Sequence, residues 1–432
     1  MIQREKKTKV RVGYIGLGRR GYSMLESCVG SMADVELAWV CDLSEEKITR
    51  AVEYLTGKGH PRPKTTTDYR EILADPDVDA VFVMTGWDMH AKCALDSVKA
   101  GKYTAVEVGC AYDLSECYEL VHAYEETGAP LMMLENCCYG RREMMALNMV
   151  KKGLFGEVVH CDGGYLHYLN DAELFVKRFG ESTYSHYRAF DYLHRNCEQY
   201  PTHEFGPISK VLGINRGNRI LTLSSFASKS RGAQSYLAEH PELEHPMTGL
   251  HFCQGDIVTT VMTCANGETV RLTLDTTLPR PYYSRNFTVR GTKGCCIEEG
   301  SFGTFFLEGM KEPVSNNEAD FYEKYDHPLY EEYSRAGITD GHGGIDWLVS
   351  RAFIESVKAG TDTPIDAYDT ATWLAIAVLS EASVAKGGAP VEFPDFTNGK
   401  WFRREPAVRG KYCLDEICSD PSVPFIPVNP EN

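Results

Sequence analysis

Gly16-x-Gly18-x-x-Gly21 follows an apolar run that starts at Val10. This spacing lets backbone N–H groups approach a pyrophosphate. Gly16 permits the tight turn, Gly18 the close approach, and Gly21 the packing of the next helix on the strand. Leu17, Arg19 and Arg20 fill the intervening positions. The partial positive charge of the helix N-terminus favours the phosphates. A second apolar run, 35–41, ends in Asp42, twenty-one residues beyond Gly21. A carboxylate there accepts both ribose hydroxyls and repels a 2′-phosphate. The pattern predicts a nicotinamide cofactor, NAD rather than NADP.

Other residues have the types needed for proton transfer and sugar binding. His203 closes Tyr200-Pro201-Thr202-His203 just before a helical pattern. An imidazole there can accept a hydroxyl proton as hydride leaves the same carbon; it can equally be a helix-capping residue. Tyr165 ends a strand-like run in Gly163-Gly164-Tyr165-Leu166-His167. It is usable as a base only if a cation or hydrogen bonds lower its pKa, and otherwise reads as a core aromatic. Glu135 and Asn136 end an apolar strand pattern, as Thr85 and Glu107 do, with Trp87 and His90 following Thr85. Tyr282 and Tyr283 lie in a loop and can place an aromatic ring over a sugar face.

The elements that position these residues are readable from periodicity. Strands are expected at 10–15, 35–41, 79–84, 103–108 and 130–134, nearly continuous apolar runs as in a parallel sheet covered on both faces. Asp68-x-x-Glu71 and Asp113-x-x-Glu116 are helix starts, and Gly101 and Gly128 are stops. This is a doubly wound α/β domain over 1–140, with its ligand at the carboxyl ends of the strands. Residues 141–432 read as a second, α+β domain with a large open, mostly antiparallel sheet. Asp256 to Cys264 and Glu268 to Thr276 flank an Asn266-Gly267 turn, and a second hairpin turns at Thr292-Lys293. Helices are expected at 203–213, 345–359 and 367–386, and an irregular acidic, aromatic loop at 312–335.

Composition excludes some partners. The 432 residues carry a formal charge of −16, which disfavours nucleic acid and anionic membranes. No apolar run is long enough to span a bilayer, and the basic N-terminus leads into no apolar stretch of a signal peptide. A cytoplasmic location is expected. The fifteen cysteines show no zinc-type spacing, so buried reduced thiols and no metal site are expected.

Together, the glycine turn, His90 five residues past Thr85, Glu107 and the following open sheet resemble the Gfo/Idh/MocA-type oxidoreductases, typified by glucose–fructose oxidoreductase and inositol dehydrogenase. Members usually carry Glu-Lys-Pro on the fifth strand. Here Glu107-Val108-Gly109 lacks the lysine that assists hydride transfer. A narrower set of motifs is similar to the NAD-dependent glycosidases of glycoside hydrolase family 109, whose best-known activity is α-N-acetylgalactosaminidase. These are Met132 to Arg141 (with Glu135-Asn136-Cys137-Cys138-Tyr139-Gly140), Gly153 to Glu157, Gly164 to His167, Tyr200 to His203, and Gly341 to Gly344. Family members usually have Gly where this chain has Glu204.

The resemblance implies hydrolysis with no net redox change. C3 of the sugar is oxidised while His203 receives the hydroxyl proton, Tyr165 removes the acidified C2 hydrogen, the C1 group leaves, water adds, and hydride returns. It implies NAD as cofactor, a small-molecule glycoside or sugar as substrate, and sugar contacts from Glu135, Tyr200 and Tyr282 or Tyr283. The alternatives are an NAD-dependent sugar or cyclitol dehydrogenase and a catalytically silent NAD-bound scaffold. A homo-oligomer is expected, since open sheets in this architecture often pair.

Overall fold

A parallel sheet opens the chain of this computed structural model, which describes residues 5–177, 186–311, 314–336 and 340–417. Its strands are β1 (Val10–Ile15), β2 (Val35–Cys41), β3 (Lys64–Thr66), β4 (Ala80–Val83), β5 (Tyr103–Val106) and β6 (Leu131–Met133), in the order β3-β2-β1-β4-β5-β6. The order reverses between β1 and β4, which is the switch point where such sheets take ligands. The expected strands are present. The short edge strand β3 was not expected, because a three-residue run with exposed Lys64 and Thr65 carries no apolar signal.

Local chemistry sets the helix ends. Asp113 caps Leu114–Thr127 by accepting the Ser115 N–H at 2.6 Å, and Gly128 ends that helix at φ +65°. Asp68 accepts the Arg70 N–H at 3.1 Å where Arg70–Ala74 begins.

The second sheet comprises β7 (Val158–Leu166), β8 (Ile220–Ala227), β9 (Ile257–Cys264), β10 (Thr269–Asp275), β11 (Thr288–Gly291), β12 (Gly294–Glu299), β13 (Phe302–Leu307) and β14 (Val391–Glu392). Their order is β13-β12-β11-β7-β10-β9-β8-β14, antiparallel except for the β7–β10 pair. Both hairpins form, with Gly267 at φ +100° in the first turn. One face buries Cys161, Tyr165, Val270, Leu272, Leu274, Val258 and Met262. The other carries Arg271, Asp162, Thr259 and the exposed Val261 and Phe226.

The chain forms two compact units, one of residues 1–144, 326–372 and 403–432, the other of 145–325 and 373–402. The chain first crosses from one unit to the other after residue 144. The C-terminal segment, by contrast, does not all stay with the second unit. The helix Ile345–Ala359 packs on the parallel sheet, with the Phe353 ring edge-on to Phe82 at 5.2 Å and to Tyr103 at 6.5 Å. A parallel sheet needs apolar cover on both faces, and this helix provides part of it.

The stretch expected to be a loop at 312–335 instead contains the helices Glu318–Tyr325 and Pro328–Ala336. Phe321, Leu329, Tyr330 and Tyr333 are buried, so a tertiary surface supplies the apolar face that local periodicity did not reveal. Among the described residues the cysteines are free, all of them buried except Cys253 and the half-buried Cys295.

Candidate active site

The glycine turn divides its labour as its spacing predicts. A methyl group at Gly16, whose φ is +98°, would lie 2.5 Å from the Met84 carbonyl oxygen. One at Gly21 would lie 2.2 Å from the Gly16 carbonyl oxygen, so the helix Arg19–Ser27 sits hard against the turn. A methyl at Gly18 would meet nothing within 4 Å. This open place is a cradle that a side chain would fill, and it fits a phosphate approaching the backbone. Leu17 is buried and its N–H donates to Asp42 at 2.7 Å, while the other Asp42 oxygen accepts the Ser44 N–H at 2.9 Å. Asp42 is thus aimed by the backbone and half-exposed, with lone pairs left for ribose hydroxyls. Arg19 points to solvent.

The other strand ends form one buried set. His90 Nε2 donates to the Thr85 carbonyl at 2.9 Å, and burial lowers its pKa to about 4, so the ring is neutral. Trp87 is buried and donates to the Val108 carbonyl at 3.2 Å. Gly109 faces both rings: a methyl there would lie 2.9 Å from His90 Nδ1 and 2.9 Å from Trp87. Val108, at the position of the family's lysine, is buried. Glu107 lies 3.4 Å from Arg20 Nε. Glu135 is fully buried and accepts the Cys137 N–H at 2.9 Å, capping the short turn Asn136–Tyr139.

Asp346, which sequence reading did not single out, joins several of these residues. It takes both Arg20 Nη atoms at 2.6 and 2.8 Å, Asn136 Nδ2 at 2.6 Å and His342 Nδ1 at 2.6 Å. Burial opposes its charge, but the Arg20 and His342 bonds hold its carboxyl well below the usual range. Its signal in the sequence was faint, an acid in the first turn of a helix just after the Gly341 to Gly344 run.

In the second unit, aromatic rings gather at the end of β7. Tyr165 is nearly buried, its ring 4.4 Å from Tyr200, 5.8 Å from His203 and 6.1 Å from Tyr283. The Tyr165 hydroxyl lies 3.1 Å from His167 Nδ1, and the Tyr200 hydroxyl 3.2 Å from His203 Nε2. His203 lies in the first turn of Thr202–Leu212, as expected, and this helix packs directly on β7. A methyl at Gly163 would lie 2.6 Å from Glu204 Cβ, so that glycine makes room for the residue by which this chain departs from the pattern it otherwise resembles. The loop before Tyr200 is pinned by Gln199 donating to Gln254 at 2.7 Å and by Ser380 Oγ accepting the Glu198 N–H at 2.8 Å.

Of the two loop tyrosines, Tyr283 joins the cluster, also meeting the His167 ring at 5.0 Å. The Leu166–Ser284 bridge fixes this register. Tyr282 instead lies over Gly300.

Arg188 was not anticipated, since nothing marked 187–194 as a helix. Its guanidinium stacks 4.3 Å from the centre of the Tyr200 ring and 5.7 Å from that of Tyr165, with Glu173 at 3.8 Å. Burial pushes the Tyr165 phenol up to about 12, with the Arg188 cation opposing. Burial lowers the pKa of His167. A neutral imidazole beside a phenol near a cation is an arrangement that can move a proton.

Comparison with known proteins gives the family. The family model for the glycosyl hydrolase 109 C-terminal domain matches residues 139–403. That for the oxidoreductase family, NAD-binding Rossmann fold, matches 10–135. An α-N-acetylgalactosaminidase from Tannerella forsythia is 38% identical over 417 residues, covering 92% of this chain and 88% of that protein. A glycosyl hydrolase family 109 protein from Stenotrophomonas maltophilia is 39% identical, covering 94% and 93%. Among solved structures, an NAD-binding oxidoreductase from Klebsiella pneumoniae shares the fold with a TM-score of 0.70 at 16% identity, covering 90% of this chain and 100% of that one. The chain belongs to glycosyl hydrolase family 109, glycosidases built on an NAD-binding Rossmann domain.

Proposed function

We propose that this protein is an NAD-dependent glycosidase acting on α-linked N-acetylgalactosaminides by oxidation at C3, elimination, hydration and re-reduction. The observation that carries the mechanism is the Tyr165–His167–Tyr200–His203–Arg188 cluster at the end of β7. The name of the Tannerella relative supports the sugar. NAD, when bound, supplies a reversible hydride acceptor for the C3 carbon, so the net reaction is hydrolysis.

The remaining chemistry falls to side chains. His203, oriented by the Tyr200 hydroxyl at 3.2 Å, takes the C3 hydroxyl proton and later returns it. The C3 ketone acidifies the C2 hydrogen, and Tyr165 removes it. A phenol raised to about 12 is a poor base on its own. The Arg188 cation stabilises the phenolate, and the neutral His167 at 3.1 Å can hold the displaced phenolic proton. Loss of the C1 substituent then gives an enone, to which water adds before Tyr165 reprotonates C2. Glu135, Tyr200 and Tyr283 are the proposed sugar contacts, with Tyr282 further from the cluster. Leu17, Gly18, Arg20, Asp42, Thr85, Trp87, His90, Glu107 and Asn136 are the proposed cofactor contacts.

A panel of α- and β-linked aryl glycosides, run with and without added NAD, tests the reading. Aryl release with no accumulation of NADH is expected, with the α-N-acetylgalactosaminide the best substrate. NADH accumulation with free sugars and no aryl release would overturn it in favour of a sugar dehydrogenase.

We also propose a homo-oligomer and a cytoplasmic location. Val261 and Phe226, 38% and 57% exposed on the open sheet face, support the first, and light scattering tests it. The free thiols fit a reducing compartment, which cell fractionation tests. No helix among the described residues is long and apolar enough to cross a membrane.

A further inference from the structure

The connection from β10 to β11 has to pass over the carboxyl end of β7. In the sheet order β11-β7-β10, β7 lies between the two, parallel to β10 and antiparallel to β11. Residues 276–287 therefore form an arch over the strand end where Tyr165 and His167 lie. The far side of the arch is firmly tied. Ser284 and Leu166 exchange backbone hydrogen bonds at 3.1 Å. The buried Glu298 carboxylate accepts the Ser284 hydroxyl at 2.9 Å, the Arg285 N–H at 2.8 Å and the Phe287 N–H at 3.3 Å. Tyr283, just before this anchor, is 43% exposed, so burial alone does not fix its ring.

Arg280 ties the middle of the arch back to its start. Its Nη1 donates at 2.8 Å to Oδ2 of Asp275, the last residue of β10, and its Nε donates to the Tyr282 carbonyl at 2.7 Å. Pro281 between them has a fixed φ, so the link is stiff. The Asp275 carbonyl also accepts the His167 N–H at 2.9 Å. Asp275 thus grips both His167 and the arch, and the Tyr283 ring meets the His167 ring at 5.0 Å. The Arg280–Asp275 pair is largely buried, 14% and 16% exposed, and Asp275 Oδ1 has no hydrogen bond among the described residues. A carboxylate so placed depends on that cation. We infer that Arg280 is a latch, a positioning residue for the reaction: clamped on Asp275, it fixes the Tyr282 carbonyl so that Tyr283 seats beside His167 and Tyr165. The latch rests on the glycosidase reading and extends it to a residue that acts through Tyr283.

Besides Tyr165 on its own strand and Tyr283 on the arch, four charged or titratable groups face His167. These are Glu173 from the turn Asn170–Leu174, Arg188 from the helix Tyr187–His194, His203 from the helix Thr202–Leu212, and Arg280. Burial lowers the imidazole pKa most, Glu173 opposes, and Arg188, His203 and Arg280 lower it further. A cation disfavours the imidazolium, so loss of Arg280 raises the His167 pKa and moves the acid limb of proton transfer to higher pH. A lysine at 280 keeps the charge but lacks the planar guanidinium fork that spans Asp275 and Tyr282. Charge and position are therefore separable.

Exchange of the C2 proton of methyl α-N-acetylgalactosaminide with D2O, followed with added NAD over a series of pH values, tests this. Arg280→Gln should lower the exchange rate by about tenfold or more, the scale of a misplaced active-site group, and shift its acid limb to higher pH. Arg280→Lys should lower the rate with the acid limb unmoved. In a double-mutant cycle, Arg280→Gln should cost little further once Tyr283 is replaced by alanine, because the latch acts through that ring. Melting temperature and NAD affinity report whether each variant is folded, and the lysine variant carries the same cycle if the glutamine one is not. Wild-type exchange in Arg280→Lys would reduce Arg280 to a charge and overturn the latch. Independent, additive losses in the cycle would overturn it too. Absence of exchange in the wild type would instead overturn the glycosidase reading itself, and the latch with it.

Discussion

Tyr165 is a phenol that burial makes a weaker acid and Arg188 makes a stronger one. Replacing it by phenylalanine removes the base while keeping the ring against Tyr200 and His203. Tyr165→Phe should therefore retain oxidation at C3 but lose exchange of the C2 proton with D2O. Full exchange in that variant would remove Tyr165 from the role. Arg188→Gln takes away the cation that lowers the phenol's pKa, so the phenolate fraction at neutral pH must shrink. Turnover and C2 exchange should fall together by about tenfold or more, one pKa unit being worth a factor of ten. An Arg188→Gln enzyme with unchanged exchange would mean that His167 alone sustains the proton transfer.

At the scale of the element, glycines decide how closely strands and helices approach. Gly21→Ala forces a methyl to within 2.2 Å of the Gly16 carbonyl oxygen and should cost about 1–3 kcal/mol, seen as a lowered melting temperature. Gly18→Ala meets nothing, so the melting temperature should hold while NAD affinity drops as the methyl enters the phosphate cradle. The two substitutions separate packing from binding within one motif. Gly163→Ala would press on Glu204 Cβ at 2.6 Å and Ile208 at 3.1 Å, lifting the helix Thr202–Leu212 from β7. Because His203 rides on that helix and Tyr165 on that strand, glycosidase activity should fall more than stability does, which parallel melting and rate measurements would show.

For the whole molecule, acid stability is tied to ion pairs between segments distant in sequence. Asp34 is partly buried, which raises its pKa, but bonds from Arg351 and Lys358 at 2.6 Å each outweigh this and hold it at about 2. A depressed carboxylate contributes stability that is complete above its unfolded pKa and disappears as pH falls through the folded one. The contribution of Asp34 should accordingly be lost between about pH 4 and pH 2. Asp34→Asn should lower the melting temperature at pH 7 and flatten its dependence in that window, which calorimetry at a series of pH values would report.

What the sequence alone determined is what depends on short-range geometry. The glycine turn, the helix capped by Asp113, the Asn266-Gly267 hairpin and the Tyr200 to His203 start of a helix are set by backbone sterics and by hydrogen bonds a few residues long, and Asp42 was marked by its spacing from that turn. The motifs between Met132 and Gly344 likewise carried the family. Tertiary structure alone decided the rest, because contacts across tens to hundreds of residues leave no local period. It brought Asp346 to Arg20 across |i−j| of 326, buried Arg188 against two tyrosines, and chose Tyr283 over its neighbour through the bridge of Ser284 to Leu166. It also made helices of the stretch 318–336, whose apolar residues find their partners only when the chain returns to pack on them. Burial works in the same way: only the folded neighbourhood could turn an ordinary phenol at Tyr165 into one that needs a cation and an imidazole to act as a base.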